Sequence, residues 1–89
     1  MRVCKRIHYA GHVQGVGFRH TTRRLAQGFP LSGFVRNLSD GRVELVVEGD
    51  QAHVEALLER IADTMAGYIA DHSMEELPVQ GFQEFVIRA

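Results

Sequence analysis

Apolar and polar side chains alternate along several segments of the chain, as they do in β-strands that bury one face. In the first of these segments Val3, Ile7 and Tyr9 share one face, whereas Arg6 and His8 lie on the other. The pattern is weakest near residues 69–76, where ionisable side chains leave the strand little apolar face. Strands are therefore predicted over 2–10, 31–38, 42–48, near 69–76 and near 82–88.

A helical period replaces the alternation in two segments. Over 51–66 the apolar residues form one stripe that starts after a capping residue, Asp50, and ends at Gly67. Over 18–28 apolar residues recur at helical spacing, with Arg19, Arg23 and Arg24 between them. Gly28 and Pro30 are expected to end this first helix, because proline cannot continue one.

The order of these elements is β-α-β-β-α-β, with one additional short strand. Asp40-Gly41 predicts a tight hairpin between the second and third strands, which are then antiparallel neighbours. Two helices of this length cannot cover both faces of the sheet, so we expect both on one face. The sequence therefore predicts an α+β, two-layer, ferredoxin-like sandwich with an antiparallel sheet of four to five strands.

Composition agrees with one compact domain over residues 1–89. Hydrophobic residues make up 45% of the chain and charged residues 24%, as in ordinary globular domains. No apolar run approaches the roughly 20 residues of a membrane span, and the N-terminus lacks the apolar segment of a signal peptide. The one cysteine, Cys4, fits a reducing compartment. We therefore expect a cytoplasmic monomer without a membrane partner.

Charge is divided unevenly between the two halves of the chain. Residues 1–45 carry eight basic and two acidic side chains, a balance of +6, whereas residues 46–89 carry two basic and nine acidic ones, a balance of −7. A basic N-terminal half suits an anionic ligand. Alternatively, folding interleaves the two halves, so that their opposite charges cancel most of the electrostatic field.

The segment from Gly11 to Arg19, Gly-His-Val-Gln-Gly-Val-Gly-Phe-Arg, joins the first strand to the first helix. Its glycines allow successive main-chain N–H groups to form a nest for an anion, to which the helix N-terminus adds free donors. Arg19 at the helix start can donate two parallel hydrogen bonds to phosphate oxygens. The spacing matches neither a P-loop nor a dinucleotide-binding motif. Taken alone, the loop is equally compatible with a flexible connection beside a surface arginine.

Two motifs of the chain resemble those of the acylphosphatases. The first is the 11–19 segment, and the second is Gly-Phe-Val-Arg-Asn-Leu-Ser-Asp-Gly-Arg-Val-Glu over 33–44. The resemblance covers nearly the whole chain. Phe29-Pro30-Leu31 differs from the residues that usually end the first helix in the family. It implies the ferredoxin-like fold and hydrolysis of small-molecule acyl phosphates without metal or cofactor.

Site residues follow from the same resemblance. Arg19 matches the arginine that binds the phosphoryl group, and Asn37 matches the asparagine that orients the attacking water. The phosphate cradle is implied to consist of the main-chain N–H groups of Gln14, Gly15, Val16, Gly17 and Phe18. His12 and His20 flank this loop, and we interpret them as exposed supporting residues rather than metal ligands.

Three alternatives remain at the level of sequence. The first is a non-catalytic module that binds phosphate or a phosphorylated metabolite. The presence of Asn37 beside Arg19 argues against it, because binding alone does not require a residue that holds water. Nucleic-acid binding is disfavoured because the strand Arg42–Glu48 has none of the aromatic residues of RNA-binding sheets. An acylphosphatase-like domain of a larger carbamoyl-transfer protein would be accompanied by further domains, for which 89 residues leave no room.

Overall fold

A computed structural model describes all residues, 1–89. The elements follow the predicted order, including the additional short strand. They are β1 (Arg2–Gly11), α1 (Phe18–Ala26), β2 (Ser32–Asn37), β3 (Val43–Asp50), α2 (Gln51–Thr64), β4 (Ile69–Leu77) and β5 (Phe85–Ile87). The five strands form one sheet in the order β4-β1-β3-β2-β5. Both helices pack on one face, so the predicted two-layer α+β sandwich is confirmed.

The sheet is mixed rather than wholly antiparallel. The pairs β1–β3, β1–β4 and β2–β3 are antiparallel, whereas β5 runs parallel to β2, with Phe34 opposite Val86. The prediction of an antiparallel sheet therefore holds for four strands and fails for the fifth. The chain reaches β5 by crossing the uncovered face of the sheet after β4, and this route sets the direction of the last strand.

The core lies between the helices and one face of the sheet. Ile7 of β1, Leu45 and Val47 of β3, and Leu57 and Ile61 of α2 each have no more than 1% of their surface exposed. These residues belong to the predicted apolar faces of their elements, so alternation in the strands and the helical stripe both contribute. Burial of side chains of this size stabilises a fold by about 1.5–3 kcal/mol each.

Strand β4 is an edge strand, which explains its weak sequence pattern. It pairs with β1 alone, and its residues are exposed except at the two ends. Because neither helix packs closely on it, this edge strand needs no continuous apolar face, and charged side chains occupy much of it. Smaller differences concern element ends: α1 ends at Ala26 and α2 at Thr64, and β5 occupies only Phe85–Ile87.

The face of the sheet opposite the helices, which we call the second face, carries the buried carboxylate of Glu48. Its side chain is fully buried and accepts hydrogen bonds from the main-chain N–H groups of Gln80, Gly81 (2.9 Å) and Phe82 (3.1 Å). The guanidinium of Arg2 also donates to it, at 3.2 Å. Glu48 thereby fastens the segment between β4 and β5 across this face. That segment covers Cys4, Phe34 and Val46, which form a small second cluster together with Phe82.

One buried hydroxyl lacks a partner. Thr22 of α1 is fully buried, and its Oγ1 makes no hydrogen bond. Because Thr and Val have the same shape and similar helix propensity, Thr22→Val removes only the cost of desolvating the hydroxyl. We expect it to raise the free energy of unfolding by about 1 kcal/mol in urea denaturation. The neighbouring Thr21→Val is the control. A destabilised Thr22→Val would show that the hydroxyl has a partner.

No helix of the structure is both long and apolar enough to cross a membrane.

Candidate active site

The loop between β1 and α1 has the backbone shape of an anion nest. Gly15 and Gly17 both have φ of 78°, in the left-handed region that glycine adopts readily. A Cβ at either position would meet no other atom, so the conformation, and not the space, requires glycine. Val13, which is 1% exposed, anchors the loop in the core. We call residues 12–17 the glycine loop.

Helix α1 begins directly at this loop with its first N–H groups free. Gly17 is the N-cap and has no side chain to accept from them, and the first turn contains no acidic residue. Helical N–H groups point toward the N-terminus, where their partial positive charges add to the helix dipole. This end of α1 therefore attracts an anion, and nothing in the chain neutralises it.

A small pocket lies at this end of the helix. Its volume of about 150 Å³ is below the roughly 300–1,000 Å³ of pockets that enclose drug-sized ligands, so it suits a small group such as a phosphoryl group. Residues from the glycine loop, from the first turn of α1 and from the end of β2 line it: Val13, Gly15, Gly17, Phe18, Arg19, His20 and Asn37.

Arg19 lines this pocket with most of its donors unused. Its Nη1 donates to the carbonyl oxygen of Arg88 at 3.3 Å, and it has no carboxylate partner. Arg88 is itself held by a hydrogen bond from its N–H to Val35 O (2.9 Å) and by its guanidinium, 3.9 Å from the centre of the Phe34 ring. One end of the Arg19 guanidinium is thus fixed, while the remaining N–H groups can bind an anion.

Asn37 reaches the same pocket from the other motif. It is the last residue of β2, pairs with Val43 across the hairpin and is partly buried. Its side-chain amide makes no hydrogen bond within the protein. The fold therefore brings Arg19 and Asn37 together at one pocket, each with free hydrogen-bonding groups.

The other predicted cradle residues are placed differently. Gly15, Gly17 and Phe18 line the pocket, whereas Gln14 and Val16 do not. Val16 packs its side chain against the core, and Gln14 directs its amide to the β2–β3 hairpin. Only their main-chain N–H groups are then available to the nest.

Sequence reasoning did not identify two contributors. Val13 lines the pocket, and the carbonyl of Arg88 accepts a hydrogen bond from Arg19. His20, which the sequence placed beside the loop as a supporting residue, lines the pocket as well. Helical spacing places His20 beside Arg19, but no pattern in the sequence connects Arg88 with the site, because the last strand brings it there. His12 lies outside the lining residues, with its ring 6.4 Å from that of Tyr68.

The remaining polar clusters lie elsewhere. Glu44, on the second face of the sheet, accepts from Arg36 Nε at 2.7 Å and lies 3.2 Å from His8 Nε2. Burial works to raise the pKa of Glu44, but the hydrogen bonds from Arg36 and His8 outweigh it and hold that pKa below its usual value. No three His, Cys, Asp or Glu side chains are grouped as metal ligands.

A larger cavity of about 400 Å³ between α2 and β4 is mostly apolar.

Comparison with known proteins agrees with this geometry. The family model for acylphosphatases matches residues 5–87. An acylphosphatase of Pseudomonas paraeruginosa is 44% identical over 90 residues, which cover 98% of this chain and 97% of the relative. The crystal structure of the acylphosphatase from Bacillus subtilis superimposes with a TM-score of 0.89 at 31% identity, covering 98% of this chain and 99% of that one.

The fold also occurs as part of a much longer protein. HypF of T. kodakarensis matches 98% of this chain, but only 12% of HypF is covered, with a TM-score of 0.85 and 34% identity. The separate acylphosphatases, in contrast, are matched over almost their full length. Family model, relatives and fold therefore agree, and this chain belongs to the acylphosphatase family of enzymes.

Proposed function

We propose that this acylphosphatase hydrolyses small acyl phosphates to a carboxylate and inorganic phosphate, with Arg19 binding the phosphoryl group and Asn37 orienting the water. The observation that carries the proposal is the shared pocket. Arg19 and Asn37, with free donors and acceptors, line one small cavity at the uncapped start of α1. Such a cavity offers donors for an anion beside polar groups for a water.

Phosphate binding rests on three sets of donors. The main-chain N–H groups of residues 14–18 form the nest, the α1 N-terminus contributes its dipole, and Arg19 donates in a planar fork. All three are fixed before substrate arrives, because the glycine loop is anchored by Val13 and Arg19 by the Arg88 carbonyl. Little reorganisation is then needed as charge develops on the phosphoryl oxygens.

The reaction itself is displacement at phosphorus. The water oxygen forms a bond to phosphorus, the bond from phosphorus to the acyl oxygen breaks, and the bonding electrons leave with the carboxylate. A carboxylate is a good leaving group, so positioning and electrostatics supply most of the catalysis. The amide of Asn37 has no useful acid–base pKa, and we assign the water's proton to a phosphoryl oxygen of the substrate itself.

This chemistry needs no metal or cofactor. The donors that neutralise phosphate charge belong to the protein, where many phosphoryl-transfer enzymes use Mg²⁺ for this purpose. We expect release of benzoate and phosphate from benzoyl phosphate to proceed at the same rate with and without a chelator. Strict dependence on added metal would reject this part of the proposal, and no turnover would favour the non-catalytic phosphate-binding module.

Asn37→Ala tests the role in orienting water. We expect kcat for benzoyl phosphate to fall by about 100-fold, the scale on which single preorganised polar groups act. Competitive inhibition by inorganic phosphate should persist, since the nest and Arg19 remain. Ser39→Ala, in the exposed turn after β2, is the matched control. Unchanged kcat in Asn37→Ala would reject the assigned role.

The wider assignments belong to the same proposal. Residues 1–89 act as a monomer of one domain, and the single domain is supported by a sheet that includes both the first and the last element. A cytoplasmic location is supported by the buried free thiol of Cys4.

A further inference from the structure

The side-chain amide of Gln14 connects the two segments that form the pocket. Its Nε2 donates to Leu38 O at 2.8 Å and to Arg42 O at 3.0 Å. Both carbonyls belong to the hairpin turn, residues 38–42, that directly follows Asn37. Gln14 itself lies in the glycine loop between Val13 and Gly15. A single amide therefore links the loop that binds phosphate to the strand end that holds Asn37.

The two carbonyls already have main-chain partners. Leu38 N–H donates to Arg42 O at 2.8 Å, and Gly41 N–H donates to Leu38 O at 3.2 Å. Each carbonyl oxygen accepts two hydrogen bonds, and Gln14 supplies the second one to both. The hairpin turn closes without Gln14, so the amide is not needed to form the turn. Its effect is to fix where the turn lies relative to the glycine loop.

We propose that Gln14 is a positioning residue, which holds the β2–β3 hairpin against the glycine loop and so sets the distance between Asn37 and the bound phosphate. The proposal rests on the assigned role of Asn37 and adds a function for a side chain that the cradle does not use. Phosphate binding needs only the Gln14 main chain, whereas alignment of the water needs its side chain. Misplacing a reacting group by about 1 Å can cost about 100-fold in rate.

Gln14→Met is the first test, because methionine keeps the length of the side chain and removes both donors. We expect kcat for benzoyl phosphate to fall by about tenfold, while the inhibition constant of inorganic phosphate changes by less than about twofold. Gln83→Met is the matched control. The Gln83 amide also donates to a main-chain carbonyl, Gly81 O at 3.3 Å, but it is exposed and far along the chain from the site.

A double-mutant cycle shows whether Gln14 acts through Asn37. If it does, adding Gln14→Met to Asn37→Ala should change kcat by less than about twofold, since no oriented water remains to be misplaced. Equal losses in both backgrounds would overturn the proposal, as would weakened phosphate inhibition with unchanged kcat. Full activity of Asn37→Ala would reject the water role, and this proposal with it. Loss in Asn37→Ala but none in Gln14→Met would reject the positioning role alone.

Gln14→Glu provides a second readout if Gln14→Met does not fold. An ionised glutamate places negative charge against two carbonyl oxygens, whereas the protonated form offers one O–H donor in the place of the amide. We expect the activity of Gln14→Glu, relative to the wild type, to rise as the pH is lowered from about 8 toward about 5. A ratio that stays flat or falls over this range would overturn the proposal.

Discussion

Arg19→Lys is expected to lower kcat/KM for benzoyl phosphate by at least about 100-fold, although the charge at the position is kept. Lysine is a point charge with no planar fork, so it can neither bind two phosphoryl oxygens in parallel nor keep the hydrogen bond to the Arg88 carbonyl in the same geometry. Removal of a single preorganised donor from a site of this kind costs about 100- to 1,000-fold in rate.

Two measurements define the outcome of Arg19→Lys. Steady-state kinetics with benzoyl phosphate gives the loss, and competitive inhibition by inorganic phosphate shows how much of it is binding. Arg23→Lys and Arg24→Lys are matched controls, because both arginines are exposed on the same helix and line no pocket. An Arg19→Lys enzyme within about threefold of the wild type would contradict the assigned grip on phosphate.

Glu48→Gln is expected to produce the largest loss of stability. The substitution keeps the shape of the side chain, but it removes the charge that Arg2 and three main-chain N–H groups satisfy, and it turns an NH₂ group toward donors. Breaking a buried, hydrogen-bonded charge of this kind costs about 3 kcal/mol. For a domain of this size that lowers Tm by about 15 °C. Glu76→Gln, at an exposed ion pair, is the control for thermal and urea denaturation.

The pH dependence of stability provides a separate check on Glu48. Burial works to raise the pKa of this carboxyl, but the hydrogen bonds from residues 80–82 and from Arg2 outweigh it and hold the pKa below its ordinary value of 4.5. A carboxyl whose pKa is lower in the folded state stabilises the fold above the unfolded pKa, and this contribution is lost as the pH falls through the folded pKa. The difference in stability between wild type and Glu48→Gln should therefore narrow in acid and stay constant near neutrality. A difference that does not change in acid would contradict the role of the Glu48 charge.

Glu48 also bears on the site, although it lies on the other face of the sheet. The segment that it fastens leads into β5 and then to Arg88, whose carbonyl binds Arg19. Loss of the Glu48 hydrogen bonds is therefore expected to loosen the chain that leads to the Arg88 carbonyl, the hydrogen-bond partner of Arg19. This connection runs through the C-terminal part of the chain, outside the two motifs that resemble those of the family.

The parts of the fold that follow local rules were predictable from the sequence. Alternation placed Ile7 and Leu45 on the core face, and the apolar stripe of α2 was clear. Asp40-Gly41 correctly indicated the hairpin whose first strand ends at Asn37. The direction of β5 was not predictable, because three residues carry no signal for parallel or antiparallel pairing. Burial of Glu48 on β3 was equally hidden, since a glutamate in an alternating strand normally faces solvent.

The residues of the candidate site were also only partly predictable from the sequence. Arg19 had a physical case in the sequence alone, from glycines, a helix start and a fork-shaped donor, and the structure adds the pocket that these features surround. Asn37 had only the resemblance to the family, because an asparagine before a hairpin is common. Two contacts between distant parts of the chain were not visible in the sequence: the amide of Gln14 reaches the hairpin turn, and the carbonyl of Arg88 reaches Arg19, only in the folded chain.

Hydrolysis of benzoyl phosphate in water enriched in heavy oxygen tests the proposed displacement at phosphorus most directly. In the proposed mechanism the nest and Arg19 hold the phosphoryl group while Asn37, at the same pocket, orients the water, so the water forms its bond to phosphorus. Mass spectrometry of the products after one turnover should find the heavy oxygen in inorganic phosphate and none in benzoate. Heavy oxygen in benzoate would mean attack at the acyl carbon, and it would contradict the roles assigned here to Arg19 and Asn37.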